Sequence, residues 1–116
     1  MSPFAHYLGL ILALLALAAC GGPMPAERRL DLTVTAAGYD PPGLEARVGE
    51  QVFIRFQNRD DIAHSLTVEL PGGPRTVSAE ARVDAVLSFP AGQAGTFRFF
   101  CAVPGHTEEG VIVVAE

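Results

Sequence analysis

The chain has 116 residues and a formal net charge of −5 at pH 7, with 13 acidic residues against 8 basic ones. This length favours a single domain, and the acidic surplus argues against nucleic acid as a partner, because phosphate contacts need clustered Lys and Arg. Hydrophobic residues make up 49% of the chain and charged residues 18%, a composition too apolar for an intrinsically disordered protein.

The start of the chain predicts an export signal. Residues Leu8 to Ala19 form an uninterrupted run without charge, and this run is shorter than the about 20 residues that a membrane-spanning helix needs. It fits the apolar region of a secretory signal peptide, which has about 7–15 such residues followed by small ones. We therefore expect residues 1–19 to be a signal peptide.

The apolar run ends in Leu17-Ala18-Ala19-Cys20-Gly21, which resembles the lipobox of bacterial lipoproteins. The resemblance implies that Cys20 is lipidated and that its acyl chains anchor the protein to a membrane, on the periplasmic or cell-surface side. Residues 20–29 would then carry the lipid and serve as a flexible tether. The alternative is an ordinary signal peptide in which Cys20 has no such role.

From residue 30 onward, short runs of alternating apolar and polar residues predict β-strands. The predicted strands are 30–35, 44–48, 52–57, 64–70, 86–89, 96–101 and 111–115, and 76–85 fits either a further short strand or one helical turn. Turn-forming segments separate them, among them 39–43 and 71–74. Seven or eight strands in residues 30–116 predict an all-β sandwich or barrel. The expected core residues are Leu32, Val34, Val52, Ile54, Phe56, Leu66, Val68, Phe97, Phe99, Ile112 and Val114.

Three residues of this domain could bind a soft or borderline metal ion. Cys101 ends a predicted strand, and the turn at Pro104-Gly105 can bring His106 back beside the thiol. His64 begins another predicted strand after a polar loop, so it can join them if both strands meet at one end of the sandwich. Two imidazoles and one thiolate are the ligand set of electron-transfer copper sites.

The domain resembles the cupredoxins, the small blue copper proteins. The resemblance is carried by Tyr39–Val52, by Asn58-Arg59-Asp60 with His64, and by Gly95–Cys101 with Pro104-Gly105-His106 and Gly110. It implies a Greek-key β-sandwich of seven to eight strands that binds one type 1 copper ion. It also implies that His64, Cys101 and His106 are the equatorial ligands and that Ser65 and Asn58 lie just outside them.

One part of the pattern departs from this family. Many cupredoxins have an axial Met four or five residues after the second His, where this chain has Gly110 and Val111. We therefore expect no Met ligand. Either the axial group is missing, with Val111 against the copper, or the Ala63 carbonyl, a carboxylate of Glu108 or Glu109, or water replaces it. A missing group would favour Cu(I) and raise the reduction potential, whereas a hard oxygen ligand would favour Cu(II) and lower it.

These interpretations predict a monomeric type 1 copper protein, not an enzyme, that transfers single electrons at the outer side of a bacterial membrane. Its partners would be redox proteins such as c-type cytochromes or an oxidase. Alternatives are a periplasmic copper carrier or chaperone, and a cupredoxin-like interaction module without metal. Zinc could bind with Glu108 as a fourth ligand. A Cys–His nucleophile pair oriented by Asp60 or Asp61 is also conceivable, although no substrate-binding segment is evident.

Overall fold

The computed structural model describes residues 24–116, so the predicted signal peptide and Cys20 lie outside the described part of the chain. Within residues 24–116 there is no helix, and hence none that could span a membrane. Nine strands are present: β1 (Glu27–Thr35), β2 (Gly38–Asp40), β3 (Gly43–Arg47), β4 (Gln51–Asn58), β5 (His64–Leu70), β6 (Gly73–Ala79), β7 (Asp84–Pro90), β8 (Gly95–Phe100) and β9 (Glu109–Ala115).

The strands form two mixed sheets packed as a sandwich. One sheet has the order β2-β1-β4-β7 and the other β3-β9-β8-β5-β6. Each sheet contains one parallel pair, β1 with β4 and β3 with β9. Parallel neighbours cannot be joined by a tight hairpin, so the chain crosses repeatedly from one sheet to the other. The predicted all-β Greek-key sandwich is confirmed.

Alternation along the strands places the core between the sheets. In β4 the side chains of Val52, Ile54 and Phe56 are fully buried, and burying side chains of this size stabilises the fold by about 1.5–3 kcal/mol each. Every predicted core residue is buried except Phe97, which is partly buried and packs against the core. The period-two pattern therefore identified the inward face of each strand.

Several local predictions differ from the structure. The first strand begins at Glu27, so residues 27–29, which were assigned to the tether, pair in the sheet with 51–53 of β4. The predicted turn at 39–43 contains the end of β2 and the start of β3. The ambiguous segment after the turn at 71–74 contains most of β6, an edge strand that pairs with β5. These short strands form by pairing with longer neighbours, which raises the count from the predicted seven or eight to nine.

Four strands begin or end at one end of the sandwich. Strand β4 ends at Asn58 and β5 begins at His64, while β8 ends just before Cys101 and β9 begins just after Glu108. The Ser65 backbone N–H lies 3.4 Å from the Cys101 sulfur, which joins the start of β5 to the end of β8. This end of the sandwich therefore holds every predicted ligand.

Candidate metal centre

The structure brings the three predicted ligands together and adds a fourth group, Glu108. One ligand atom from each of these four residues lies within 4.8 Å of all the others. The Nδ1 atoms of His64 and His106 are 3.2 Å apart. The Cys101 sulfur lies 3.4 Å from Nδ1 of His106 and 4.0 Å from Nδ1 of His64. Four donor atoms therefore converge on one small volume.

The contacts of His64 decide which of its nitrogens faces this volume. Both ring nitrogens lie near a carboxylate, Nε2 2.8 Å from Oδ2 of Asp60 and Nδ1 3.2 Å from Oε2 of Glu108. The ring proton of a neutral His64 is assigned to Nε2, because that contact is the shorter of the two. Its Nδ1 then presents a lone pair to His106, the Cys101 sulfur and the Glu108 carboxylate. Facing lone pairs repel, and a cation between them removes that repulsion. The donor set suits a single type 1 copper ion, which takes two imidazoles and a thiolate.

The loop before His64 is held by Asn58, which is fully buried. Its amide nitrogen lies 2.9 Å from the Ile62 carbonyl and 3.1 Å from the carbonyls of both Ala79 and Glu80. Its amide oxygen accepts a hydrogen bond from the Asp60 backbone N–H at 2.9 Å. The predicted role of Asn58 near the site is therefore exerted through the shape of this loop, which places Asp60 beside His64.

The position of Asp60 also affects its ionisation. The hydrogen bond from His64 holds the pKa of the Asp60 carboxyl below its usual range, and the backbone N–H of Asp61 adds to the effect. Asp60 is thus held as a carboxylate that orients the imidazole. Asp61 instead pairs with Arg82 at 2.8 Å, so only one of the two acids considered as orienting groups contacts a ligand.

Cys101 is buried directly after β8. The backbone N–H and the hydroxyl of Ser65 both lie near its sulfur. The Ser65 hydroxyl lies 3.7 Å from the sulfur and accepts a hydrogen bond from the Ala102 backbone N–H at 2.8 Å. Together with the Ser65 backbone N–H, the hydroxyl can donate to a thiolate. Such donors stabilise the anion and orient the ligand.

The segment from Cys101 to Glu108 folds back on itself. The His106 N–H donates to the Val103 carbonyl at 3.0 Å, and Gly105 has a φ of +84°, a conformation that favours glycine. The Cys101 N–H donates to the Glu108 carbonyl at 3.1 Å and closes the loop. The side chain of His106 is 17% exposed, against 2% for His64, so His106 is the more accessible of the two imidazoles.

The structure separates the axial candidates. Oε2 of Glu108 lies 3.2 Å from Nδ1 of His64 and 3.4 Å from Nδ1 of His106. Glu109 points away and bonds Arg98 at 3.1 Å. Val111 does not pack against the site, because its side chain is 40% exposed on the outer face of β9. That part of the expectation is wrong.

Neither of the two other residues named for the axial position, Gly110 and Ala63, has a side chain that can bind a metal. A Cβ added to Gly110 would lie 2.4 Å from both a ring carbon of Phe99 and the Pro42 carbonyl oxygen, so no larger residue fits there without movement. Ala63 is exposed in the loop before His64. Among the side chains considered, Glu108 alone reaches the cluster.

Sequence reasoning did not identify the role of Tyr39, which lies in the segment predicted as a turn. It is buried, and its hydroxyl donates to the Ser65 carbonyl at 2.6 Å. Its ring packs against Phe99 with 5.4 Å between ring centroids. Burial raises the pKa of Tyr39, and the nearby Cys101 and Glu108 raise it further. The phenol therefore stays neutral and supports the residue that follows His64.

Comparisons with known proteins agree with this fold. The family model of the cupredoxin-like domain matches residues 8–114. Auracyanin B superposes with a TM-score of 0.69 at 15% identity, covering 83% of this chain and 94% of its own. Auracyanin A, a "blue" copper protein from the green thermophilic photosynthetic bacterium Chloroflexus aurantiacus, superposes with a TM-score of 0.63 at 22% identity over 77% of this chain and 99% of its own.

The same fold also occurs within larger proteins. A Cu-containing nitrite reductase from Thermus scotoductus matches 78% of this chain with a TM-score of 0.63 at 25% identity, but only 28% of its own length is covered. No curated protein matches the chain in sequence. The family match and the His, Cys, His donor set together support one type 1 copper ion. The resemblance seen in the sequence is confirmed, and the chain belongs to the cupredoxin-like domain family.

Proposed function

We propose that this domain carries single electrons on one type 1 copper ion held by His64, Cys101 and His106. The observation that carries the proposal is the convergence of these donors, with Nδ1 of each imidazole turned toward the thiol sulfur. A copper ion bound there supplies a centre that alternates between Cu(I) and Cu(II). Thiolate suits the first state and imidazole both.

The protein's own contribution is to hold the donors in one arrangement. Asp60 fixes the ring of His64, and Ser65 fixes the sulfur of Cys101. The backbone bond between Cys101 and Glu108 closes the loop that carries His106. Ligands that are fixed in advance move little when the oxidation state changes, so the reorganisation cost of electron transfer stays small.

The exposed edge of His106 is the proposed entry and exit point for electrons. It lies in the loop with Ala102, Val103 and Pro104, which give this end of the molecule a small apolar surface. Acidic groups near this end, including Asp61 and Glu109, favour a partner with a basic face. A redox protein such as a c-type cytochrome or an oxidase fits this description, and the domain would meet it as a monomer.

Burial of the ligands favours electron transfer over copper delivery. A carrier that hands its metal to another protein must expose the ligands to the incoming ones. Here His64 and Cys101 are both buried, and His64 is held by a carboxylate as well. The absence of an evident substrate-binding segment in the sequence likewise favours a carrier over an enzyme.

The test is copper loading of the chain with Cys20→Ser, which prevents lipidation and leaves Cys101 as the single thiol. One equivalent of Cu(II) should produce an intense thiolate-to-copper absorption band and a matching EPR signal. The variant that also carries Cys101→Ser should lose both. Failure to bind one equivalent, or a spectrum without a band that depends on Cys101, would overturn the proposal.

Zinc is a second candidate because of one observation. Glu108 gives the cluster a fourth donor, and a set of two imidazoles, a thiolate and a carboxylate also suits tetrahedral Zn²⁺. Metal analysis of protein purified after export separates the two ions. Copper with reversible reduction supports the carrier, whereas zinc that Cu(II) cannot displace supports a structural role.

We further propose that Cys20 carries lipid and anchors the domain at the outer side of a bacterial membrane. The sequence from Leu17 to Gly21 supports this proposal, and several acyl chains together hold a protein where one alone is marginal. Incorporation of a labelled fatty acid in a bacterial host should occur with the natural chain and be lost with Cys20→Ser. Equal labelling of both would refute the anchor.

A further inference from the structure

We infer that the Glu108 carboxylate is the fourth ligand of the bound copper ion and shifts the site toward Cu(II). The inference rests on the proposed function, since it needs copper at the cluster. It gives a ligand role to a residue outside the usual pattern, in a chain that has Gly110 and Val111 where many cupredoxins have a Met.

The distances place the Glu108 carboxylate in the same group of donor atoms as the three ligands, and not in a layer outside them. Oε2 of Glu108 lies 3.2 and 3.4 Å from the Nδ1 atoms of His64 and His106, while those two nitrogens are themselves 3.2 Å apart. Each distance from the carboxylate oxygen to an imidazole nitrogen is therefore within 0.2 Å of the distance that separates the two imidazole nitrogens from each other. The sulfur of Cys101 lies within the same 4.8 Å set.

The backbone directs this side chain inward. The Glu108 carbonyl accepts from the Cys101 N–H at 3.1 Å, which ties Glu108 to the residue that carries the thiolate. Its side chain is 16% exposed, and its carboxylate lies within 3.4 Å of a ring nitrogen of both His64 and His106. Glu109, the next residue, is 63% exposed and pairs with Arg98. Adjacent acids thus have opposite orientations, and only Glu108 faces the cluster of donor atoms.

A carboxylate ligand changes the balance between the two oxidation states. A hard, anionic oxygen prefers Cu(II) over Cu(I). The Asp60 carboxylate beside Nε2 of His64 acts in the same direction, because its negative charge favours the more highly charged ion. We therefore expect Cu(II) to be bound more tightly, relative to Cu(I), than in the same protein without the Glu108 carboxylate.

Three variants of the full chain with Cys20→Ser test this assignment. Glu108→Gln removes the charge and keeps the shape, Glu108→Asp keeps the charge and shortens the reach, and Glu109→Gln removes a charge from the neighbouring residue that does not face the cluster. Each is loaded with Cu(II), and its EPR hyperfine splitting, visible spectrum and midpoint potential are measured. Circular dichroism of the metal-free proteins checks that each is folded.

If Glu108 is a ligand, Glu108→Gln and Glu108→Asp should both disturb the copper site, since one removes the charge and the other the reach of the side chain. Both should change the EPR splitting, and Glu108→Gln should lower the Cu(II)-to-Cu(I) affinity ratio at least tenfold, which is about 59 mV for one electron. Glu109→Gln should leave the splitting unchanged. If Glu108→Asp matches the unsubstituted protein, or Glu108→Gln matches Glu109→Gln, the carboxylate is only a nearby charge and the inference fails.

This failure can be told apart from failure of the proposed function. If the thiolate-to-copper band is present but no copper property changes with Glu108, the proposed electron carrier is supported and only the role of Glu108 as a fourth ligand is refuted. If no band depends on Cys101, both the proposed function and the Glu108 inference are refuted. Should Glu108→Gln fail to fold, the comparison of Glu108→Asp with Glu109→Gln decides the question by the same EPR readout.

Discussion

The loop that presents His64 depends on one buried amide, and replacing it gives the sharpest test of how the site is built. In Asn58→Ala, the Ala79 carbonyl loses a buried hydrogen bond, and a buried group left unpaired costs about 1–3 kcal/mol. The partly buried bonds to Ile62, Glu80 and Asp60 can be replaced by water, at about 0.5–1 kcal/mol in total. The expected loss of unfolding free energy is therefore about 1.5–4 kcal/mol.

This loss is large for a domain of this size, whose total stability is typically about 5–15 kcal/mol. At about 4–8 °C per kcal/mol, the melting temperature should fall by roughly 6–32 °C. Urea and thermal unfolding of the reduced, metal-free protein, followed by circular dichroism, measure the effect. Gln57→Ala is the matched control, because among residues 24–116 its amide hydrogen-bonds only with the Thr33 and Arg55 side chains. Equal losses in the two variants would refute the reasoning.

Three further predictions concern groups around the site and at the other end of the sandwich. Gly110→Ala forces a Cβ against the Phe99 ring and should cost about 1–3 kcal/mol of unfolding free energy in urea titration; an unchanged midpoint would contradict the close packing. Tyr39→Phe removes a buried hydrogen bond and should cost about 1–2 kcal/mol by the same assay. The pKa of Glu50 is lowered, mainly by its hydrogen bonds with Arg28. The stability from this ionised group is therefore present above its unfolded-state pKa and lost as pH falls through its lower folded-state pKa. Arg28→Gln should weaken the pH dependence of the melting temperature in the acid range, and an identical dependence would refute that contribution.

Ligand positions could be predicted because they depend on local geometry and on strand ends. Cys101 and His106 are joined by a turn that Pro104 and Gly105 dictate, and His64 stands at the start of a strongly alternating strand. The position of Val111 could also have been deduced. Ile112 was expected in the core, and neighbouring residues of a strand face opposite sides, so Val111 had to face outward.

Other features depend on distant partners and left little trace in the sequence. Strand β2 is only three residues long and exists because it pairs with β1. The direction of the Glu108 side chain depends on the backbone bond to Cys101, which no spacing rule reveals. Tyr39 contacts Ser65, a residue far away in the chain. In each case the three-dimensional fold supplies the constraint.

The direction of β1 sets how far the metal centre can stand from an anchoring surface. This strand begins at Glu27, beside Gln51 at the start of β4, and its Val34 lies beside Asn58 at the end that holds the ligands. Nine residues at about 3.3 Å each span roughly 30 Å. If Cys20 is held in a bilayer, β1 therefore acts as a stiff spacer that can hold His106 a domain's length above the lipid. An electron partner would then meet the protein in the aqueous space. The length of the segment between Cys20 and Glu27 would limit how far the domain can move sideways from its anchor to reach that partner.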